Sequence, residues 1–98
     1  MFVNIIKSYR DVVAVSDEDL IGKVFENGDF QLDVKESFYR GETKSAEEVK
    51  EILENMKIED ATFNIVGNES VKLALENGII SEEHIGEISG IKFAMVFM

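Results

Sequence analysis

Gly67 is the residue around which anion chemistry could be built. It ends the apolar run Thr62 to Val66 and stands just before Asn68, Glu69 and Ser70. A strand that stops at a glycine and opens a helix leaves the first helical N–H groups without internal partners, and such donors attract phosphate or carboxylate. Asn64, Gly67, Asn68 and Ser70 would form the cradle, and Lys23 could supply a counter-charge. Two features oppose this. Neither a GxGxxG nor a Walker pattern is present, and Glu69 puts a negative charge in the first turn, where an anion would dock. An ordinary strand-to-helix turn explains the same residues.

Two other groups carry potential chemistry. Phe38, Tyr39 and Arg40 have the composition of an interaction hot spot, with aromatics that could equally cap the core under a loop. Asp17, Glu18 and Asp19 lack the spaced ligands and central glycine of a calcium loop, and carboxylates at a helix start are explained by the helix dipole. Asp17 is kept with Phe38, Tyr39 and Arg40 as an interaction candidate. The single histidine, His84, follows two glutamates, whereas a metal site needs three or four converging ligands. The serines sit in no nucleophile elbow. No catalytic residue, metal ligand or cofactor site is expected.

Composition narrows the classes further. Twenty acidic residues stand against ten basic ones, a formal charge of −10, which opposes duplex nucleic-acid binding because that requires lysine and arginine against phosphates. Such charge keeps a small protein in solution, and it also suits attraction to a basic partner. The absence of cysteine rules out disulfides and thiolate chemistry. No apolar run approaches the roughly 20 residues of a membrane span, and Met1 to Lys7 reads as a strand rather than a signal peptide. The expectation is a cytoplasmic protein that does not engage membranes.

The elements that must position these groups follow from pattern. Residues 1–98 should form a single α+β domain, with two main helices packed on a mixed, mostly antiparallel sheet. Phe2 to Lys7 and Val12 to Val15 read as a hairpin, and Ser16 opens one helical turn through Asp17 to Gly22. Asn27-Gly28 predicts a tight turn between Lys23–Glu26 and Asp29–Lys35, with Phe30, Leu32 and Val34 facing the core. Residues 38–42 read as a loop. Ser45 and Glu48 form a capping box for a helix over 45–57, whose stripe is Ala46, Val49, Ile52, Leu53 and Met56. Thr62 to Val66 is a strand, Asn68 caps a helix reaching Glu76, and Asn77-Gly78 ends it. Ser81 to His84 begins a turn. Ile85–Ile88 and Ile91–Phe97 make the last hairpin, and the second of these strands is apolar on both faces, so it should lie inside the sheet.

With these segments placed, the chain resembles the archaeal domain-of-unknown-function 424 family. The resemblance lies in the stretch from Val12 through Ser16, Asp17, Gly22 and Lys23 to Phe25. It continues in Phe38, Tyr39, Gly41 and Glu42, then in Asn64, Val66, Gly67 and the helix ending at Gly78. It implies an archaeal cytoplasmic protein of about this length without an assigned activity, and it transfers no catalytic residue. The function expected is an acidic, non-enzymatic adaptor that docks on a basic protein or ribonucleoprotein assembly. The alternative is a small-ligand or anion-binding protein, or an enzyme, using the strand–Gly67–helix turn.

Overall fold

A computed structural model describes residues 1–96 of the 98. Strands β1 (Phe2–Ile6) and β2 (Val12–Ser16) pair antiparallel, and a one-turn 3₁₀ helix follows at Glu18–Leu20. The hairpin β3 (Val24–Asn27) and β4 (Phe30–Asp33) comes next, then α1 (Glu36–Tyr39), the two-residue β5 (Glu42–Thr43) and α2 (Ala46–Ile58). The chain continues through β6 (Thr62–Val66), α3 (Asn68–Glu76), a 3₁₀ turn at Glu82–His84, β7 (Ile85–Ile88) and β8 (Ile91–Val96).

Six strands form one mixed sheet in the order β5-β1-β2-β6-β8-β7, and β3 with β4 forms a separate two-stranded ribbon. All pairs are antiparallel except β2 and β6, which run parallel with Val12 opposite Thr62 and Ser16 opposite Val66. Because side chains alternate along a strand, Val13, Val15, Phe63 and Ile65 point to one face and Ala14, Ser16, Asn64 and Val66 to the other. On the first face α2 and α3 deliver Val49, Leu53, Met56, Val71 and Ala74, all buried. On the second, Leu20, Val34 and Tyr39 cover Ala14 and Val66.

α2 forms as its sequence predicts. Ser45 Oγ accepts from the Glu48 N–H at 3.2 Å, and Glu48 Oε1 accepts from the Ser45 N–H at 2.9 Å, the reciprocal box that satisfies a helix start. Those hydrogen bonds hold the Glu48 carboxyl below its ordinary value. Of the predicted stripe, Val49, Leu53 and Met56 are buried, Ile52 is half-buried and Ala46 is exposed. β8 lies between β6 and β7, inside the sheet as expected, while Phe97 falls outside the described residues.

Several expectations are corrected. The turn joining β3 and β4 is Gly28-Asp29, since Asn27 already pairs with Phe30. Only Gly28 is left-handed there, at φ 62°, which matches a turn that places glycine first. Phe30 shares its side of β4 with Leu32 but is not part of the core: it is 72% exposed, beside β7 at the sheet's edge. Of the expected loop 38–42, Phe38 and Tyr39 end the short helix α1 and Glu42 begins β5, a strand that the sequence reading lacked.

Candidate functional site

The Gly67 turn is assembled from two places in the chain. β2 and β6 run parallel, so their C-terminal ends emerge side by side, and whatever follows Ser16 lies next to whatever follows Val66. The Asp17 N–H donates to the Val66 carbonyl at 3.1 Å, carrying the pairing one residue past the sheet. Gly67 then donates its N–H to the Lys92 carbonyl at 2.8 Å and turns the chain into α3. In this register the Asp17 side chain stands over the first turn of the helix.

Its carboxylate takes the place an anion would take. Asp17 Oδ2 accepts from the Glu69 N–H at 3.1 Å, and Oδ1 accepts from the Ser70 N–H at 2.9 Å and the Ser70 hydroxyl at 2.6 Å. Three donors around one carboxylate at a helix start use the same physics as a phosphate cradle, with the anion built into the chain. Gly67 is required twice over. Its φ of 112° lies in a region that side chains rarely adopt, and a Cβ there would sit 2.3 Å from the Asp17 Cγ. Ser70 and Ser16 are buried, and Ser16 Oγ donates to the Asp17 carbonyl at 2.9 Å.

The other anion-site candidates do not join this cluster. Asn68 is the first helical residue rather than the cap. Its Nδ2 donates to the Gly90 carbonyl and its Oδ1 accepts from the Lys92 N–H at 2.9 Å, which ties α3 to the β7–β8 turn. Asn64 lies on the sheet face opposite α2 and α3, half-buried. Among the described residues the Lys23 ammonium makes no hydrogen bond or ion pair, and its backbone closes the turn between Leu20 and Val34.

The aromatic candidates divide. Tyr39 is 9% exposed within the second core, and burial pushes its phenol above the ordinary value. Phe38 packs edge-to-face on it, with ring centroids 4.9 Å apart, and its carbonyl accepts from Asn4 Nδ2 at 2.7 Å. Arg40 is exposed, paired with Glu36 and placed 5.7 Å over the Phe2 ring. His84 is exposed, and its Nδ1 accepts from the Ser81 N–H at 3.0 Å. Sequence reasoning leaves open whether the Asp17 and Gly67 turns converge, and it does not foresee that the Asp17 carboxylate itself fills the helix start. The adjacency of two β-rich runs, each followed at once by a cap-type residue, is the signal that could have paired them.

An α+β domain with two helices on one face of a six-stranded mixed sheet, closed by a carboxylate-clasped helix, is the class that fold and site define. The chain belongs to the DUF424 family, proteins of unknown function, whose family model matches residues 6–98. It is similar in fold to an uncharacterized conserved protein from Methanopyrus kandleri known from a crystal structure. The TM-score is 0.83 and the identity 24%, over 98% of this chain and 89% of that one. A comparison with curated proteins finds no match.

Proposed function

We propose that this protein is a non-enzymatic adaptor of the archaeal cytoplasm that docks, through its acidic surface, on a basic protein or ribonucleoprotein assembly. The observation that carries the reading is the outward face of α2. Glu47, Glu48, Glu51 and Glu54 are all exposed there, in a chain of net charge −10. Opposite charge on a partner would steer encounter and fix orientation. The alternative, an anion or small-ligand site at Gly67, has less support, since Asp17 already accepts from the amides that a ligand would need.

The test is a pull-down from an archaeal host followed by affinity measurement across a salt series. Binding should weaken steeply as salt rises, because exposed charges are screened within about 10 Å at 0.1 M. Reversing Glu47, Glu51 and Glu54 to lysine should slow association and leave the circular-dichroism spectrum unchanged. A partner whose affinity ignores both salt and reversal removes the electrostatic adaptor.

A further inference from the structure

The six-stranded sheet ends in β7, and the β3–β4 ribbon overhangs that end. Between them is a notch of about 330 Å³ lined by Asn27, Phe30, Gly86, Glu87, Ile88 and Phe93. Of these, Phe30 is largely exposed and Ile88 is buried. Phe93 lies across Gly86, where a Cβ would stand 2.5 Å from the ring. An apolar slot beside a sheet edge is the arrangement that receives an added strand, main chain to main chain, with one side chain anchored in the slot.

The edge has bonding groups to offer. Ser89 and Gly90 are both left-handed, so Ile88 and Ile91 flank a two-residue hairpin turn and are mutually hydrogen-bonded. Antiparallel pairs alternate, so Gly86 with Phe93 is the next bonded pair, and Ile85 and Glu87 turn their backbone groups outward. The Ile85 N–H is taken by the Glu82 carbonyl. The Ile85 carbonyl and both backbone groups of Glu87 remain, and among the described residues no other element's backbone bonds to Glu87. Exposed acids lie on the elements next to this edge: Glu26 and Asp29 on the ribbon, Glu83 in the turn that precedes β7, and Glu87 on β7 itself. Lys92 stands opposite Glu87 one strand inward, behind that rim.

We propose that β7 accepts an extended segment of a basic protein as a further strand, with an apolar side chain of that segment in the Phe30–Ile88–Phe93 notch and its flanking lysines or arginines against the acidic rim. This rests on the adaptor reading's basic partner and gives it a docking edge at β7 in addition to the acidic face of α2. A second copy of this chain is disfavoured as the occupant, since two such rims would repel.

The probe is a blocked peptide of about ten residues alternating lysine and valine, long enough to span the strand, with a glutamate–valine peptide as control. Each is titrated into the ¹⁵N-labelled full chain. The Glu87 amide should shift, and its hydrogen exchange should slow about tenfold as its N–H gains an acceptor. Phe30→Ala should weaken binding about tenfold without altering the melting curve, as expected for an exposed anchor. Glu87→Pro removes an N–H that the ladder does not use and should weaken binding similarly. A Glu87 amide unmoved at millimolar peptide, equal binding of the control, or shifts confined to α2 would each overturn the edge site. The last of these leaves the adaptor reading standing. A native partner that ignores salt but is blocked by Glu87→Pro removes the electrostatic adaptor reading while keeping the edge.

Discussion

The two faces of the six-stranded sheet are built by different rules. On the helical face, Phe63, Ile65, Val13 and Val15 meet Val49 and Leu53, and every one of these is sealed from water. On the ribbon face, the cover is a patchwork of a 3₁₀ turn, a four-residue helix and a hairpin. It buries Leu20, Val34 and Tyr39 but leaves Phe30 72% exposed and Met95 54% exposed. Two long helices can lay a continuous apolar stripe on a sheet, whereas short pieces seal only the patch directly beneath them. The helical face should therefore carry most of the stability, while the ribbon face leaves large apolar side chains in contact with water.

The largest effect should fall on the helical face. Phe63→Ala should destabilise by roughly 3–5 kcal/mol in urea unfolding, the range for an enclosed phenylalanine. A loss near zero would mean that the sealed face is not the stabilising one. At the seam between the two halves of the chain, Asp17→Ala leaves two helix N–H groups and the Ser70 hydroxyl without their acceptor, and about 1–2 kcal/mol should be lost. Asp17→Asn, which keeps one acceptor oxygen, should recover part of it.

The ribbon face should answer to pH through Tyr39. Desolvation raises the Tyr39 phenol above 10.0, so the folded state favours its neutral form. That contribution is whole below the unfolded pKa and is lost as pH rises through the folded one. Denaturant midpoints measured upward from pH 10 should fall, and Tyr39→Phe should flatten the fall. The smallest effect belongs to Phe30→Ala, which should stay within roughly 0.5 kcal/mol as a surface change. Matching losses from Phe30 and Phe63 would erase the contrast between the faces.

Legibility in the sequence follows the same division. α2 was readable because its capping box and its stripe lie within one stretch of chain, where pattern and local propensity agree. Phe30 was misread because alternation along β4 reports which side a residue faces, not whether anything lies beneath that side. The Gly28-Asp29 turn was missed by one residue, since Asn27-Gly28 and Gly28-Asp29 are both acceptable turn pairs and strand register decides between them. At the site, Gly67 and Ser70 could be named from their own neighbours. Their partner, Asp17, is 53 residues from Ser70, and only the parallel pairing of β2 with β6 brings it there.

That parallel pairing has a kinetic consequence. β1–β2 and β7–β8 are hairpins that can close locally, one at each end of the chain. β6 pairs with one strand from each, so it joins the two hairpins into a single sheet. Joining β2 to β6 closes a loop through the ribbon, α1, β5 and α2, and the entropy of that closure must be met before any contact across the seam repays it. Docking of β6 should therefore pace folding. Mutations along the β2–β6 seam should slow folding, while mutations in the overhanging ribbon should speed unfolding and leave the folding rate alone.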